Sequence, residues 1–281
     1  MSESVPITSE QNKYPSGDGY YVYCIAETIS AEEIVVDSIP AAIEEGADLE
    51  LITRDKLTAI ASRVPMSIFG EEALAERLSN AAWTAIRAMR HEQVVEHFAK
   101  QTSVVPLRFG TIYLDRSGVE QMLSDQKEQL TAIILKLQGR EEWGVNVYCD
   151  RDALLENITS VSARLREMAA AAKQASPGES YLRQKKIDAL RADEAKVEIE
   201  RAIGEIERKL TARSDGVTKL RILTVETTEH GDLKAKFAFL VLKVEFEHFR
   251  FAAEELARQM ETAGIRIELT GPWPAYNFAA P

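Results

Sequence analysis

Two cysteines, four histidines and no long apolar run set the first limits on this chain of 281 residues. Cys24 and Cys149 each lie inside a strand-like run, far from one another, so neither belongs to the closely spaced pairs that hold zinc or carry redox chemistry. They read as buried, inert thiols of a reducing compartment. No apolar stretch approaches the roughly 18 residues of a membrane-helix candidate. The first residues also lack the charged-then-apolar plan of a signal peptide. Positive charge is in short supply: 34 Lys and Arg stand against 45 Asp and Glu, for a net charge of -11. An acidic chain has no basic footprint for nonspecific nucleic-acid binding. The expected protein is cytoplasmic, with neither nucleic acid nor a lipid membrane among its partners.

The motifs that carry common chemistry are missing as well. There is no Gly-Lys-Ser or Gly-Lys-Thr phosphate loop and no Gly-x-Ser-x-Gly nucleophile turn. His91 and His97 share one helical segment with Glu92 and Glu96, but position 95 is Val. Zinc-protease histidines stand four apart; a spacing of six leaves these two about 120° from aligned, at roughly 100° per residue. Surface or core-edge histidines are the expectation. Carboxylates are abundant but fall on helix faces, where solvation explains them. No catalytic residue, cofactor or metal site is expected, and the chain does not read as an enzyme.

What is present is an ordinary globular composition, 45% hydrophobic and 28% charged, long enough for two modest domains. Residues 1–19 are polar and aperiodic and read as a flexible tail. Tyr20 to Ala26 is an aromatic and β-branched run, hence a strand. Ser30 to Glu33 opens like a capping box, but the segment up to Pro40 stays ambiguous between a short helix and a loop. Two strand-like runs, Asp48 to Thr53 and Lys56 to Val64, suggest a tight hairpin at Arg54-Asp55. From Glu71 to about Lys100 the period is helical, with Ala73, Leu74, Leu78, Ala82, Ile86, Met89, Val94 and Phe98 on the expected inner side. Asp115 to Gly139 is a second amphipathic helix.

The later chain repeats that order. Trp143 to Cys149 is a strand. Leu154, Ile158, Val161, Leu165, Met168 and Ala172 alternate steps of four and three, a coiled-coil seam. After Ser176-Pro177-Gly178, Glu179 to Ala212 forms a second long helix that should fold back as an antiparallel hairpin. Val217 to Glu226 and Leu233 to Phe246 are strands around a turn at His230-Gly231-Asp232, Phe249 to Ala263 is a helix, and Ile265 to Thr270 alternates as a half-buried strand. The expected fold class is α+β. It comprises two ferredoxin-like (βαββαβ) domains, at 20–139 with its connecting helix and at 140–281. The second domain carries an inserted antiparallel coiled-coil helical hairpin at about 152–212 and an aromatic C-terminal tail.

Two stretches stand out as candidate contact points. Val104 to Tyr113 reads as one buried strand interrupted by Arg108. Pro106 places it at a sheet edge or strand start, and Gly110 marks a bulge or close approach. Arg108 either pairs with a carboxylate, as a structural tie from strand to helix, or reaches water along its stem. In a ligand-sensing protein it would hold an anion. At the other end, prolines flank Trp273 and Ala275-Tyr276, restricting the chain around two aromatic side chains. These dock either on the protein's own sheet or on a partner. Arg108, Trp273 and Tyr276 are the candidate partner-binding residues.

Several of these stretches, taken together, resemble one family. They are Tyr21-Val22-Tyr23, His91-Glu92 before Pro106-Leu107-Arg108-Phe109-Gly110-Thr111, Trp143-Gly144-Val145, Gly178 with Tyr181-Leu182, and Gly271-Pro272-Trp273-Pro274 with Tyr276 and Phe278. In that order, from about Tyr20 to Phe278, the chain is similar to the gas vesicle F/L family (GvpF/GvpL). The resemblance implies two ferredoxin-like domains with a coiled-coil element. It also implies a non-enzymatic accessory or minor structural protein of gas vesicle assembly, located at the gas vesicle or in the cytoplasm. Its implied partners are the hydrophobic shell protein (gas vesicle protein A) and other gas vesicle accessory proteins. No catalytic residue carries over, and the motifs do not separate F-type from L-type. The alternative reading is a ferredoxin-like regulatory protein that senses a small molecule.

Overall fold

The structure is a computed structural model; it describes residues 17–28, 34, 39–222, 227–228 and 231–279. Most of the predicted tail, the capping-box segment after β1 and the end of the Val217 to Glu226 strand lie outside these residues. Two compact units emerge, one from Met1–Gln138 with Pro274–Pro281 and one from Gly139–Trp273. The aromatic end, which the sequence places in the second domain, thus groups largely with the first unit. No helix among the described residues is long and apolar enough to cross a membrane.

In the first unit, β1 (Asp18–Glu27) begins within the stretch read as tail. It is followed by the hairpin of β2 (Leu49–Arg54) and β3 (Leu57–Pro65). Asp55 turns that hairpin at φ 55°, a left-handed conformation that Asp tolerates better than most residues. The single helical turn α1 (Met66–Phe69) leads to α2 (Glu71–Leu78) and α3 (Ala81–Ala99). Then come the two-residue strands β4 (Val105–Pro106) and β5 (Ile112–Tyr113). The connecting helix is two helices, α4 (Arg116–Asp125) and α5 (Lys127–Leu137), separated at Gln126. The sheet runs β2-β3-β1-β4, with β5 also pairing β1. Residues of both pleat faces of β1 are buried, so it is the inner strand in every sense.

Three expectations for this unit need correction. The helix from Glu71 is interrupted at Ser79-Asn80, where the Asn80 side chain accepts a hydrogen bond from Trp83 N and starts α3 afresh. That restart resets the phase. The buried stripe of α3 is His91, Val94, Val95 and Phe98, whereas Leu78, Ile86 and Met89 are exposed. His91 is therefore a core residue. Finally, Val104 to Tyr113 is not one strand. Residues 107–111 form a turn between β4 and β5, with Gly110 at φ 84°. Pro106 lies on the edge strand, where its missing N–H costs no ladder bond.

The second unit has β6 (Arg140–Cys149), then α6 (Arg151–Val161), α7 (Ala163–Lys173) and the long α8 (Pro177–Thr211). β7 (Gly216–Leu220), β8 (Thr227–Thr228), β9 (Gly231–Leu242), α9 (Phe246–Met260) and β10 (Ile265–Trp273) complete it. The antiparallel order is β10-β6-β9-β7, with β8 on β9. α9 has Phe249, Ala253, Leu256 and Met260 buried, at steps of four, three and four. Gly264, at φ 67°, ends the helical run; a Cβ there would meet Asp150 O at 2.7 Å. The fold is thus mixed α+β with two antiparallel sheets.

α8 packs against both α6 and α7. Leu154, Ile158, Leu165 and Ala172 of the predicted seam are buried, while Val161 and Met168 are partly so. The first arm is not continuous. Ser162 is extended at φ -71° and ψ 121°, and its hydroxyl caps α7 by accepting from Leu165 N at 3.2 Å. The same hydroxyl donates to Glu194 Oε2 of α8 at 2.9 Å, and Arg164 Nη1 donates to Oε1 at 2.8 Å. Glu194 is a buried carboxylate, and a buried charge needs such partners. The helix starts at Pro177 rather than Glu179; proline occupies the first position of α8, where its ring fits and its missing N–H is not needed.

Candidate partner-binding residues and a buried polar chain

The three candidate residues meet different fates. Arg108 is exposed in the turn after β4 and forms no ion pair among the described residues. It reaches water, so the structural tie to a carboxylate is absent. Its carbonyl shapes the turn, accepting from Thr111 N at 3.2 Å and Thr111 Oγ1 at 2.7 Å. Trp273, at the end of β10 in the second unit, is 50% exposed and donates from Nε1 to Thr270 Oγ1 at 3.2 Å. Tyr276 belongs to the first unit and is half-buried there, its ring packed against the core that holds Tyr21 and Tyr23. For Tyr276 the docking is internal.

Tyr276 ends a chain of hydrogen bonds that sequence reading missed. Its hydroxyl donates to Glu92 Oε2 at 3.1 Å, leaving its oxygen to accept from His91 Nε2, also at 3.1 Å. In a neutral imidazole the other nitrogen is then an acceptor, so the Tyr21 hydroxyl donates to His91 Nδ1 at 2.8 Å. Tyr21 Oη in turn accepts from Gly110 N at 3.1 Å. One proton ordering satisfies every link from the Gly110 turn through β1 and α3 to the C-terminal segment. Beside it, Tyr23 Oη bonds Ser62 Oγ at 2.7 Å and accepts from Ile43 N at 2.7 Å. The His91 ring stacks on Tyr23, with centroids 5.8 Å apart.

Burial sets the charge states. It pushes His91 down to about 4, so the imidazole is neutral near neutral pH. Burial also drives the Tyr23 phenol up to about 12 and raises Tyr21 and Tyr276 further. The Glu92 carboxyl is raised by its burial, against the hydrogen bond from Tyr276. Cys24 is buried and its thiol is raised by desolvation, as expected of an inert cysteine. The arrangement holds segments together; no group of three or more metal-ligating side chains occurs among the described residues.

The family model for gas vesicle synthesis protein GvpL/GvpF matches residues 19–280. The chain belongs to this family. It is 31% identical over 248 residues to gas vesicle protein L of Streptomyces sp. (strain CB03234), covering 83% of this chain and 84% of that protein. It is 25% identical over 282 residues to gas vesicle protein L1 of Halobacterium salinarum, covering 97% and 94%. Gas vesicle protein F of the same Streptomyces strain is 26% identical over 197 residues, 68% of this chain and 76% of its own. Crystal structures of GvpF have the same fold. The one from Anabaena sp. PCC7120 gives a TM-score of 0.63 at 21% identity, covering 94% of this chain and 97% of that chain. The one from Microcystis aeruginosa gives 0.60 at 20%, covering 94% and 99%. Membership associates this gas vesicle protein with other gas vesicle proteins.

Proposed function

We propose that this GvpL/GvpF protein is a non-enzymatic accessory or minor structural protein of gas vesicle assembly. In this reading it works in the cytoplasm and at the vesicle, binding the hydrophobic shell protein A and other gas vesicle proteins during nucleation or growth. The family match along residues 19–280 is the observation that carries it. Each unit reads as a ferredoxin-like domain, since both sheets place the first strand between the third and the fourth. The packed helices α6 to α8 read as the coiled arm of the second domain. Within one Streptomyces strain the L protein matches at higher identity and over more of this chain than the F protein, which favours an L-type member.

A shell protein that builds a β-rich wall is prone to aggregate before assembly. An acidic partner, with a net charge of -11, would keep it soluble. Exposed Arg108 and Trp273 are proposed as contact residues, each on its own unit; the hydroxyl of Tyr276 is engaged internally and suits a holding role better. The test is co-expression with the shell protein and affinity capture of this chain from the soluble fraction. Soluble shell protein captured by the wild type, and less by Arg108→Ala or Trp273→Ala, supports the reading. A shell protein left insoluble and uncaptured would count against direct binding.

A further inference from the structure

We propose that the free edge of β10 pairs with the same edge of a second copy of this chain, joining two second-unit sheets into one. Among the described residues no strand pairs with the outer side of β10. The other edges are poorer templates. β4 has two residues and Pro106, β7 has five residues, and on β2 the Glu50 carboxylate is held by Arg63 and Arg116. β10 pairs in regular register with β6 from Ile265 to Thr270, before the irregularity at Gly271-Pro272, and alternates apolar with polar over that stretch.

The register of β10 on β6 fixes which backbone groups look outward. Asp150 N donates to Gly264 O at 2.8 Å, so by the alternation of an antiparallel ladder Arg266, Glu268 and Thr270 turn their backbone groups to β6. Ile265, Ile267 and Leu269 turn theirs to the open edge. A second β10, antiparallel about a two-fold axis at Ile267, sets Ile267 opposite Ile267 and Ile265 opposite Leu269. These are hydrogen-bonded pairs. Between them, Arg266 falls opposite Glu268 of the second copy, twice by symmetry, at the closer spacing of a non-hydrogen-bonded pair. Both side chains are exposed.

Charge selects this register. Centring the pairing on Arg266 sets arginine against arginine, and centring it on Glu268 sets glutamate against glutamate. Each of these registers sets apolar residues opposite one another on the inner layer; only the Ile267 centre also matches opposite charges. Ile267 and Leu269 are half-buried and already pack against the unit's core. A groove of about 410 Å³ beside Ile265 and Ile267, bordered by Ala257, Arg258 and Glu261 at the α9 end, leaves room for an incoming side chain. Glu268 already accepts from Asn146 Nδ2 at 2.9 Å and Tyr148 Oη at 3.0 Å.

The experiment is analytical ultracentrifugation of the full chain and of charge reversals, with circular dichroism to check folding. The wild type is expected to show a reversible two-chain species. R266E and E268R, each placing like charges opposite one another twice, should weaken it by on the order of tenfold. An equimolar mixture of the two variants restores opposite charges at both positions and should recover the two-chain species, as should the double reversal R266E/E268R. A wild type that stays single-chain overturns the proposal. So do single reversals that associate as the wild type does, or a mixture and double reversal that both stay apart. Shell-protein capture by monomeric reversals would separate this result from the accessory role, which does not depend on it.

Discussion

The two units share a strand order but are held by different chemistry. In the core of the second unit Phe237 and Phe239 of β9 meet Phe249 of α9, with ring centroids 5.9 and 5.3 Å apart. In the core of the first, Tyr21 and Tyr23 of β1 meet His91 of α3, each tied by hydrogen bonds through its polar tip. A hydrocarbon core is non-directional and tolerant of pH. A polar core demands that every partner be present, and one titratable member makes it sensitive to acid. One topology therefore accommodates two kinds of stability.

The largest break in the comparison comes from the apolar side. Phe239→Ala should cost about 3–5 kcal/mol, and hydrogen exchange should locate the loss in β6 and β9 while the first unit keeps its protection. The next is pH. His91 is pushed down to about 4 from 6.5, so its contribution is full above pH 6.5 and is lost as pH falls through 4. Glu92, raised by burial, acts in the opposite sense as it protonates and offsets part of this loss. Between pH 7 and 4 the first unit should lose at most about 3 kcal/mol, read as falling exchange protection in β1 and β3. Equal loss in β6 and β9 would erase the contrast.

Smaller effects sharpen it. Glu194→Ala leaves the buried Ser162 hydroxyl without its acceptor and should cost about 2 kcal/mol in urea denaturation. Tyr276→Phe removes the bridge between His91 and Glu92 for about 1 kcal/mol and should shift the pH profile of the first unit. Ile86→Lys, on the exposed side of α3, should stay within about 0.5 kcal/mol of wild type. A larger loss there would mean that the side chain is covered in solution.

Periodicity gave away what depends on it. β1, β6, β9 and β10 could be read from alternation and β-branched content, and the helical, amphipathic character of the stretch that became α4 and α5 from its spacing. Phase across interruptions could not. Two residues at Ser79-Asn80 turn Ile86 and Met89 outward, and one at Ser162 divides a seam whose apolar spacing never falters, because a cap is a local hydrogen bond rather than a hydrophobic period. The polar chain was invisible for another reason. Tyr21, His91 and Tyr276 come from three distant segments, and no local pattern announces that a histidine beside two valines finds two phenols. Of the candidate residues, the charge of Arg108 was conspicuous, but its exposure followed from a turn that its apolar neighbours disguised.

The Glu194 contact also sets how the helical arm behaves mechanically. α8 has 35 residues and is about 52 Å long at a rise of 1.5 Å per residue. Smooth apolar seams can slip by a turn at modest cost, because one leucine replaces another. Here a slip of even one residue rotates Glu194 by about 100° away from Ser162 and Arg164, stranding a carboxylate without its donors. The contact works as a detent. It locks the sliding coordinate of the arm, so that a pull at the tip near Ser176 reaches the sheet as displacement of a lever rather than being lost as slack.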